Sequence, residues 1–252
     1  WISRLREVLQ LPDSPVSLIN GKWIVKHRKA LWESLGTRLF DKNLDTFKQC
    51  ILSVLKERNP RLDLLTDGRF STSINRKALA HSFGLRKGMV DGLALLGSQP
   101  GVLTNCSDDK PNEIAVLTPR ELFDSADWML WGSLNGLLPV LSEAAPDEFL
   151  NIVDGVLQQL PSPFDELFSQ EGGGIVGVNY LTGLLWALES LAWDQAHLVR
   201  VCDILGHLAV RDPGGQSANR PANSLTTILL PWLPQTIASI DKRKAALRVL
   251  RK

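Results

Sequence analysis

The clearest hydrophobic pattern lies in the C-terminal part of the chain, between residues 179 and 251. Apolar residues recur there at intervals of three and four, which is the spacing of one face of an α-helix. Four such faces are formed by Leu181, Leu184, Leu185, Leu188 and Leu191; by Leu198, Val201, Cys202, Leu205 and Leu208; by Leu225, Ile228, Leu229 and Trp232; and by Ala246, Leu247 and Leu250. Short polar corners separate the four helices. Because an apolar helix face is most readily buried against its sequence neighbours, we expect an all-α fold of stacked helical hairpins, a HEAT/TPR-like α-solenoid.

A single β-hairpin is predicted near the N-terminus. Two β-prone runs flank Asn20-Gly21, a dipeptide that favours the positive φ angles of a tight hairpin turn. A helix followed by a basic hairpin resembles the wing of a winged-helix domain. Further along, Ser71–Leu96 has a helical pattern in which Gly84, Gly88 and Gly92 form a strip without side chains. We interpret this strip as a surface for close packing of another backbone.

The polar segment 99–111 is rich in turn residues and predicts a domain boundary. It separates an N-terminal helical segment with the hairpin, residues 1–98, from a helical-repeat segment, residues 112–252. Just after it, Ile114–Leu117 is expected to be a short extended piece. Thr118 and Pro119 are then expected to begin a helix, with threonine as its cap and proline in its first turn.

Composition excludes several classes of protein. The chain is 44% hydrophobic and 22% charged, as is usual for a globular protein. Its net charge of +1 does not favour binding to nucleic acid or to a membrane surface. It contains no apolar run long enough to cross a membrane. The three widely spaced cysteines predict a reducing, cytoplasmic setting, and we interpret most of the eight tryptophans as core anchors. The chain begins with Trp1 and ends within a helical pattern, so we expect it to be part of a longer protein.

Motifs for chemistry are weak. Gly172, Gly174 and Gly177 match G-x-G-x-x-G, but a helical segment precedes them and the βαβ context of a dinucleotide site is missing, so a loop is favoured. No phosphate-binding loop, nucleophile elbow or metal-ligand spacing is present in the sequence. We therefore predict no catalytic residue, no cofactor and no metal, and a non-enzymatic function. A helical enzyme, with a pocket near Gly172–Asn179, is the least favoured hypothesis.

Two groups of residues are candidates for binding. Asn219, Arg220 and Asn223 lie in the corner 212–225, and Trp232 lies just beyond it; they either hold neighbouring helices together or contact a protein partner. As an alternative function, Lys22, Lys26, Arg28 and Lys29, on and after the hairpin, would contact the phosphates of a nucleic acid. A solvated basic surface is the competing interpretation of that cluster.

Several corners resemble a region of large bacterial signal-transducing NTPases of the STAND, NACHT-like class. The resemblance rests on residues 180–189, 212–215, 218–221, 223–225 and 230–236, and on the Asn20–Trp23 hairpin followed by Trp32. It implies that an ATPase module precedes this segment and that these helices belong to a sensing or relay part, in some members within antiphage defence. The expected function is a non-catalytic scaffold that binds a protein, with a phage protein as one case, and contacts the remainder of its own longer chain.

Overall fold

In a computed structural model of the chain, residues 2–62, 79–170, 179–215 and 217–251 are described. These residues are mostly helical and contain one two-stranded antiparallel hairpin. The helical character predicted from the sequence is therefore confirmed. No helix in the described part of the chain has the length and apolarity needed to cross a bilayer.

The N-terminal part combines the hairpin with four helices. Helix α1 (Ile2–Leu9) precedes β1 (Val16–Ile19) and β2 (Lys22–Val25), and α2 (Arg28–Gly36), α3 (Asp41–Leu55) and α4 (Phe83–Ser98) follow. The turn has positive φ at both Asn20 (51°) and Gly21 (76°), as the sequence predicted. Within the predicted stretch Ser71–Leu96, residues 71–78 lie outside the described residues, and the helix there begins at Phe83.

The middle part corrects one sequence prediction. Helix α5 runs from Lys110 to Phe123, so Ile114–Leu117 is helical and Thr118-Pro119 lies inside a helix. The start is at Lys110-Pro111, where proline occupies the first turn. A proline inside a helix costs about 3 kcal/mol. Burial of Ile114, Leu122 and Phe123 on the same helix offsets that cost.

The remaining helices follow with short connections. They are α6 (Trp128–Leu134), α7 (Leu138–Ala144), α8 (Pro146–Leu157), α9 (Pro163–Ser169), α10 (Thr182–Ala192), α11 (Leu198–Arg211), α12 (Pro221–Leu229) and α13 (Ile240–Val249), with short 3-10 turns at Pro100–Val102 and Asn135–Leu137. The last four match the four faces predicted from the sequence. Two residues of the predicted faces lie beyond the ends of their helices, because α12 ends at Leu229, before Trp232, and α13 ends at Val249, before Leu250. Leu247 lies on α13 but is exposed.

One hydrophobic core joins the helices on the two sides of segment 99–111. Helix α4 packs on α7, α3 packs on α5, and α5, α7 and α11 all contact α8. The approach of α4 to α7 is so close that a Cβ on Gly97 would lie 1.8 Å from the carbonyl oxygen of Ala144. The same holds where α10 begins, since a Cβ on Gly183 would lie 1.6 Å from the carbonyl oxygen of Asn135.

The centre of this core is aromatic. The rings of Phe123 and Trp131 stack with centroids 4.1 Å apart, and Phe164 meets Trp131 edge-on at 5.0 Å. Phe149 meets Phe123 edge-on at 6.5 Å. We call these four residues the aromatic cluster. Each well-oriented aromatic pair adds about 0.5–1.5 kcal/mol beyond the burial of its area.

Candidate functional sites

Side chains of the predicted corner 212–225 make contacts both within the corner and to α10. Arg220 is buried and its guanidinium lies 2.7 Å from the carboxylate of Asp212. Asn219 donates from Nδ2 to the hydroxyl of Thr182 at 3.3 Å, and Asn223 donates to the carbonyl of Ala218 at 2.8 Å. These contacts agree with the structural interpretation of the corner. Partner contact by Asn219, Arg220 and Asn223 stays a prediction.

Trp232 has a different environment. Its side chain is 80% exposed, in the segment that connects α12 to α13. That segment is fixed to the end of α10, because the amide of Ile237 donates to the carbonyl of Trp193 at 3.0 Å and the hydroxyl of Thr236 donates to the same oxygen. Trp193 is itself exposed.

Five large apolar side chains are therefore exposed on α10 and on the segment bonded to its end. We call them the tryptophan surface: Trp186, Trp193, Trp232, Leu233 and Ile237, all more than half exposed. The prediction that most tryptophans are core anchors is wrong for the described residues, because Trp23, Trp186, Trp193 and Trp232 are exposed. Trp186 is flanked on α10 by residues that are all buried: Leu184, Leu185, Ala187 and Leu188. This pattern could have indicated from the sequence that Trp186 lies on the exposed side of the helix.

Ion pairs link helices that are separated in sequence. Arg120 on α5 makes a bidentate pair with Glu148 on α8, with distances of 2.7 and 2.9 Å. The hydrogen bonds from Arg120 hold the pKa of Glu148 below its ordinary value. Arg200 on α11 binds Asp154 on α8, and Arg211 binds Asp165 on α9. These pairs fix the positions of α5, α9 and α11 relative to their partner helices.

The basic hairpin residues are exposed. Lys22, Lys26 and Lys29 form no ion pair within the described residues, whereas Arg28 lies 2.7 Å from Asp91 on α4. The strand register places Lys22 opposite Ile19, so the face that carries Lys22 also carries apolar side chains. This face of the hairpin therefore carries both basic and apolar side chains.

A groove lies beneath the hairpin, between α2, α3 and α4. Its volume is about 740 Å³, and we call it the N-terminal groove. Apolar side chains dominate its lining: Val25, Leu31, Trp32, Leu35, Leu39, Leu44, Phe47, Met89 and Leu95. Cys50 on α3 also lines it and is exposed. Sequence analysis did not identify this groove, because its walls come from three separate helices.

The glycine strip of α4 forms one wall of the N-terminal groove. At Gly92 a Cβ would lie 3.0 Å from Phe47 Cζ, so a side chain there would require the Phe47 ring to shift. At Gly88, in contrast, a Cβ would meet no described atom within 4 Å. Glycine in a helix interior costs about 0.5–1 kcal/mol relative to alanine. The strip therefore holds the groove open at Gly88, and the close backbone approach of α4 occurs at Gly97 instead.

Charged groups stand at the edge of the groove. Asp91 binds both Arg28 at 2.7 Å and Lys87 at 2.9 Å. Burial and the nearby Asp91 raise the pKa of Glu143 on α7. Helix α2 begins at Arg28, and its capping residue His27 makes no side-chain hydrogen bond to the helix.

Within the described ranges, no group of three or more His, Cys, Asp or Glu side chains could hold a metal ion. Burial raises the pKa of the Cys202 thiol to about 12, so this side chain is packed as an apolar group. Gly172, Gly174 and Gly177 lie outside the described residues. Comparisons of the chain with protein-family models, with curated proteins and with solved structures found no match.

Proposed function

We propose that this chain is a non-catalytic helical scaffold that binds a protein partner through the tryptophan surface. The observation that carries the proposal is the exposure of Trp232 (80%), Leu233 (70%) and Ile237 (65%) on a segment anchored to α10. Tryptophan is the residue most enriched among binding hot spots, and clustered exposed apolar groups mark interaction sites. The stacked helical hairpins predicted from the sequence would supply the rigid frame.

The character of the partner follows from the neighbouring helix. Helix α13 begins a few residues after Ile237 and carries Lys242, Lys244 and Arg248, all with at least partly exposed side chains. A complementary surface would place apolar groups at its centre and acidic groups at the edge that meets α13. The partner that fits best is a protein with an apolar, acidic-rimmed patch.

The resemblance to STAND NTPases supports a wider setting for this scaffold. In that setting, the chain is the cytoplasmic sensing or relay part of a larger bacterial defence protein, and the partner is a phage protein. A reading frame that encodes a phosphate-binding loop ahead of Trp1 would support this assignment. A frame that encodes no nucleotide-binding motif would contradict it.

The scaffold hypothesis is tested with one substitution on the surface and one outside it. Native mass spectrometry would identify partners that the full-length protein retains, and calorimetry would then measure their affinity for wild type, Trp232→Ser and Val210→Ser. Val210 is 87% exposed near the end of α11 and lies outside the tryptophan surface, so it is a matched control. We expect Trp232→Ser to weaken binding by at least about tenfold, as for an aromatic hot spot. Equal losses in both variants would contradict the assignment.

Nucleic-acid binding by the hairpin is the second candidate, favoured by the exposure of Lys22, Lys26 and Lys29 and by their lack of ion pairs in the described part. Phosphate contacts make affinity depend steeply on salt. A titration of duplex DNA at several salt concentrations should therefore show a shallower slope after Lys22→Glu and Lys26→Glu. An unchanged slope and affinity would exclude this surface.

A further inference from the structure

The outer edge of strand β2 is open to solvent. All four residues of the strand, Lys22–Val25, are exposed, and Trp23, Ile24 and Val25 keep 37%, 44% and 49% of their surface accessible. Val16 on β1 is in contrast buried, so β1 is the strand that is held against the rest of the chain. The edge contains no residue of the tryptophan surface, and a site here is therefore independent of the proposed function.

The register of the hairpin determines which backbone groups point outward. The amide of Lys26 donates to the carbonyl of Pro15 at 2.8 Å, next to the pair formed by Val16 and Val25. Hydrogen-bonded and non-hydrogen-bonded pairs alternate along an antiparallel ladder. Val25 and Trp23 therefore belong to non-hydrogen-bonded pairs, and their amides and carbonyls point away from β1. No described residue makes a hydrogen bond to these backbone groups.

The corresponding edge of β1 is partly closed. The hydroxyl of Ser14 accepts from the amide of Val16 at 3.3 Å and donates to the carbonyl of Val16 at 2.9 Å. A side chain thus satisfies the backbone groups that a neighbouring strand would bind. Helix α1 also contacts β1. An additional strand therefore fits the edge of β2 better than the edge of β1.

Two lysines flank the exposed apolar part of the β2 edge. Lys22 and Lys26 lie on either side of Trp23–Val25, and neither forms an ion pair with a described residue. In a second copy of the chain, the antiparallel register that pairs Trp23 with Val25 also sets Lys22 opposite Lys26. Like charges directly opposite each other are destabilising, whereas opposite charges stabilise a strand pair. The edge is therefore complementary to a strand that carries a carboxylate opposite each lysine.

We propose that β2 binds an extended peptide segment as a third, antiparallel strand, with acidic residues opposite Lys22 and Lys26 and apolar residues between them. The outward amides and carbonyls of Trp23 and Val25 supply the main-chain hydrogen bonds, and the two lysines select the ends of the segment. Antiparallel pairing is the arrangement we assign, because it is slightly more stable per residue than parallel pairing.

The test is a titration of the 252-residue chain into a fluorescein-labelled peptide, followed by fluorescence anisotropy. The peptide has glutamate at both ends and valine, isoleucine and valine between them, with glycine-serine spacers outside. We expect saturable binding that weakens as the salt concentration rises, because the contacts at the two ends are ionic. A peptide with lysine in place of both glutamates should bind at least about tenfold more weakly.

Methylation of the peptide backbone tests the hydrogen bonds without any change to the protein. In the antiparallel arrangement, the two valines lie opposite Trp23 and Val25, and their amides donate to the carbonyls of β2. N-methylation of both valines should abolish binding. N-methylation of the isoleucine, whose amide points away from β2, is the matched control and should retain binding.

Substitutions in the hairpin locate the edge. Val25→Pro removes an outward amide from β2, and Leu18→Pro removes an outward amide from β1, in the neighbouring non-hydrogen-bonded pair. Val25→Pro should abolish peptide binding, and Leu18→Pro should leave the affinity unchanged. The double variant Lys22→Glu, Lys26→Glu should reverse the preference, so that the lysine peptide binds more tightly than the glutamate peptide.

Three results would overturn the proposal. The first is no binding of the glutamate peptide by the wild-type chain, and the second is an equal loss of affinity on methylation of the valines and of the isoleucine. The third is binding of duplex DNA through Lys22 and Lys26 with no binding of the peptide, which would assign these lysines to phosphate contacts.

Discussion

Tryptophan has opposite environments in two regions of this molecule. In the aromatic cluster, Trp131 is fully buried and contacts Phe123 and Phe164. On the tryptophan surface, Trp232 is 80% exposed and makes no ring contact with another aromatic side chain of the described residues. The first region uses aromatic area for stability, and the second leaves it accessible to a partner. Substitutions in the two regions should therefore separate stability from binding.

The largest expected effect is in the aromatic cluster. Trp131→Ala removes the most fully packed large side chain and should lower the free energy of unfolding by about 3–5 kcal/mol, measured by urea denaturation. Phe164→Leu, a smaller change in the same cluster, should cost about 1–2 kcal/mol. A loss below about 1 kcal/mol for Trp131→Ala would show that the cluster is not the centre of the core.

The next effect concerns the close packing that surrounds the cluster. Gly183→Ala places a methyl group against the carbonyl of Asn135 and should destabilise the fold by about 1–3 kcal/mol. Gly155→Ala adds the same methyl group to a helix with open space around it and should stabilise it by up to about 1 kcal/mol. Thermal unfolding of both variants measures the contrast, and equal shifts would contradict it.

A third test concerns a charge buried beside the packed helices. Arg86 is 2% exposed, and its single hydrogen bond within the described residues is a long one of 3.5 Å to the carbonyl of Ser133. It has no ion-pair partner within 4 Å there; burial lowers its pKa, and the charge of Glu57 partly opposes that effect. Arg86→Met should therefore raise the free energy of unfolding by about 1–2 kcal/mol, because methionine replaces a desolvated charge with an apolar side chain of similar shape. A loss of stability would contradict this expectation and would show that the attraction between Arg86 and Glu57 outweighs the cost of burying the guanidinium.

A smaller, pH-dependent effect is expected at the ion pair of Glu148. The pKa of Glu148 is lowered in the folded protein from its ordinary value of 4.5. The pair therefore contributes stability above pH 4.5, and this contribution is lost as the pH falls through the folded pKa. Glu148→Gln should lower the melting temperature at neutral pH and converge with wild type in acid. Glu166→Gln, at an exposed position, is the control, and its melting temperature should stay close to that of wild type at both pH values.

The smallest effect on stability is expected on the tryptophan surface. Trp232→Ser removes a side chain with few internal contacts and should change the free energy of unfolding by less than about 0.5 kcal/mol. The same variant should lose partner binding, so the two measurements together separate this region from the aromatic cluster. A stability loss as large as that of Trp131→Ala would make Trp232 part of the core.

Local patterns in the sequence predicted the parts of the fold that local physics determines. The turn at Asn20-Gly21 and the apolar faces of α10 and α11 depend on near neighbours in sequence, and the structure confirms them. The faces predicted for α12 and α13 are confirmed only in part, because Trp232 lies beyond α12 and both Trp232 and Leu247 are exposed. The predicted start of helix α5 was wrong, because Pro119 was interpreted as the first turn of the helix. In the structure the helix continues through Pro119, and burial against distant parts of the chain stabilises it. Local propensity does not include that tertiary contribution.

The candidate sites were harder to predict, because they depend on which surfaces remain uncovered. Trp186 and Trp193 have the residue type of core anchors, and only tertiary packing shows that they are exposed. The N-terminal groove combines residues from β2, α2, α3 and α4, which are distant in sequence. The glycine strip was visible as a pattern, but its open space at Gly88 requires the positions of the neighbouring helices.

The contact between Gly97 and Ala144 ties together the two sides of segment 99–111. The backbones of α4 and α7 are in close contact. We therefore expect that proteolytic cleavage within segment 99–111 would leave the two fragments associated. The halves could then be produced separately and would reassemble without a covalent link. Such a split would allow each half to be isotopically labelled on its own, and the interface between them would be observable directly by NMR.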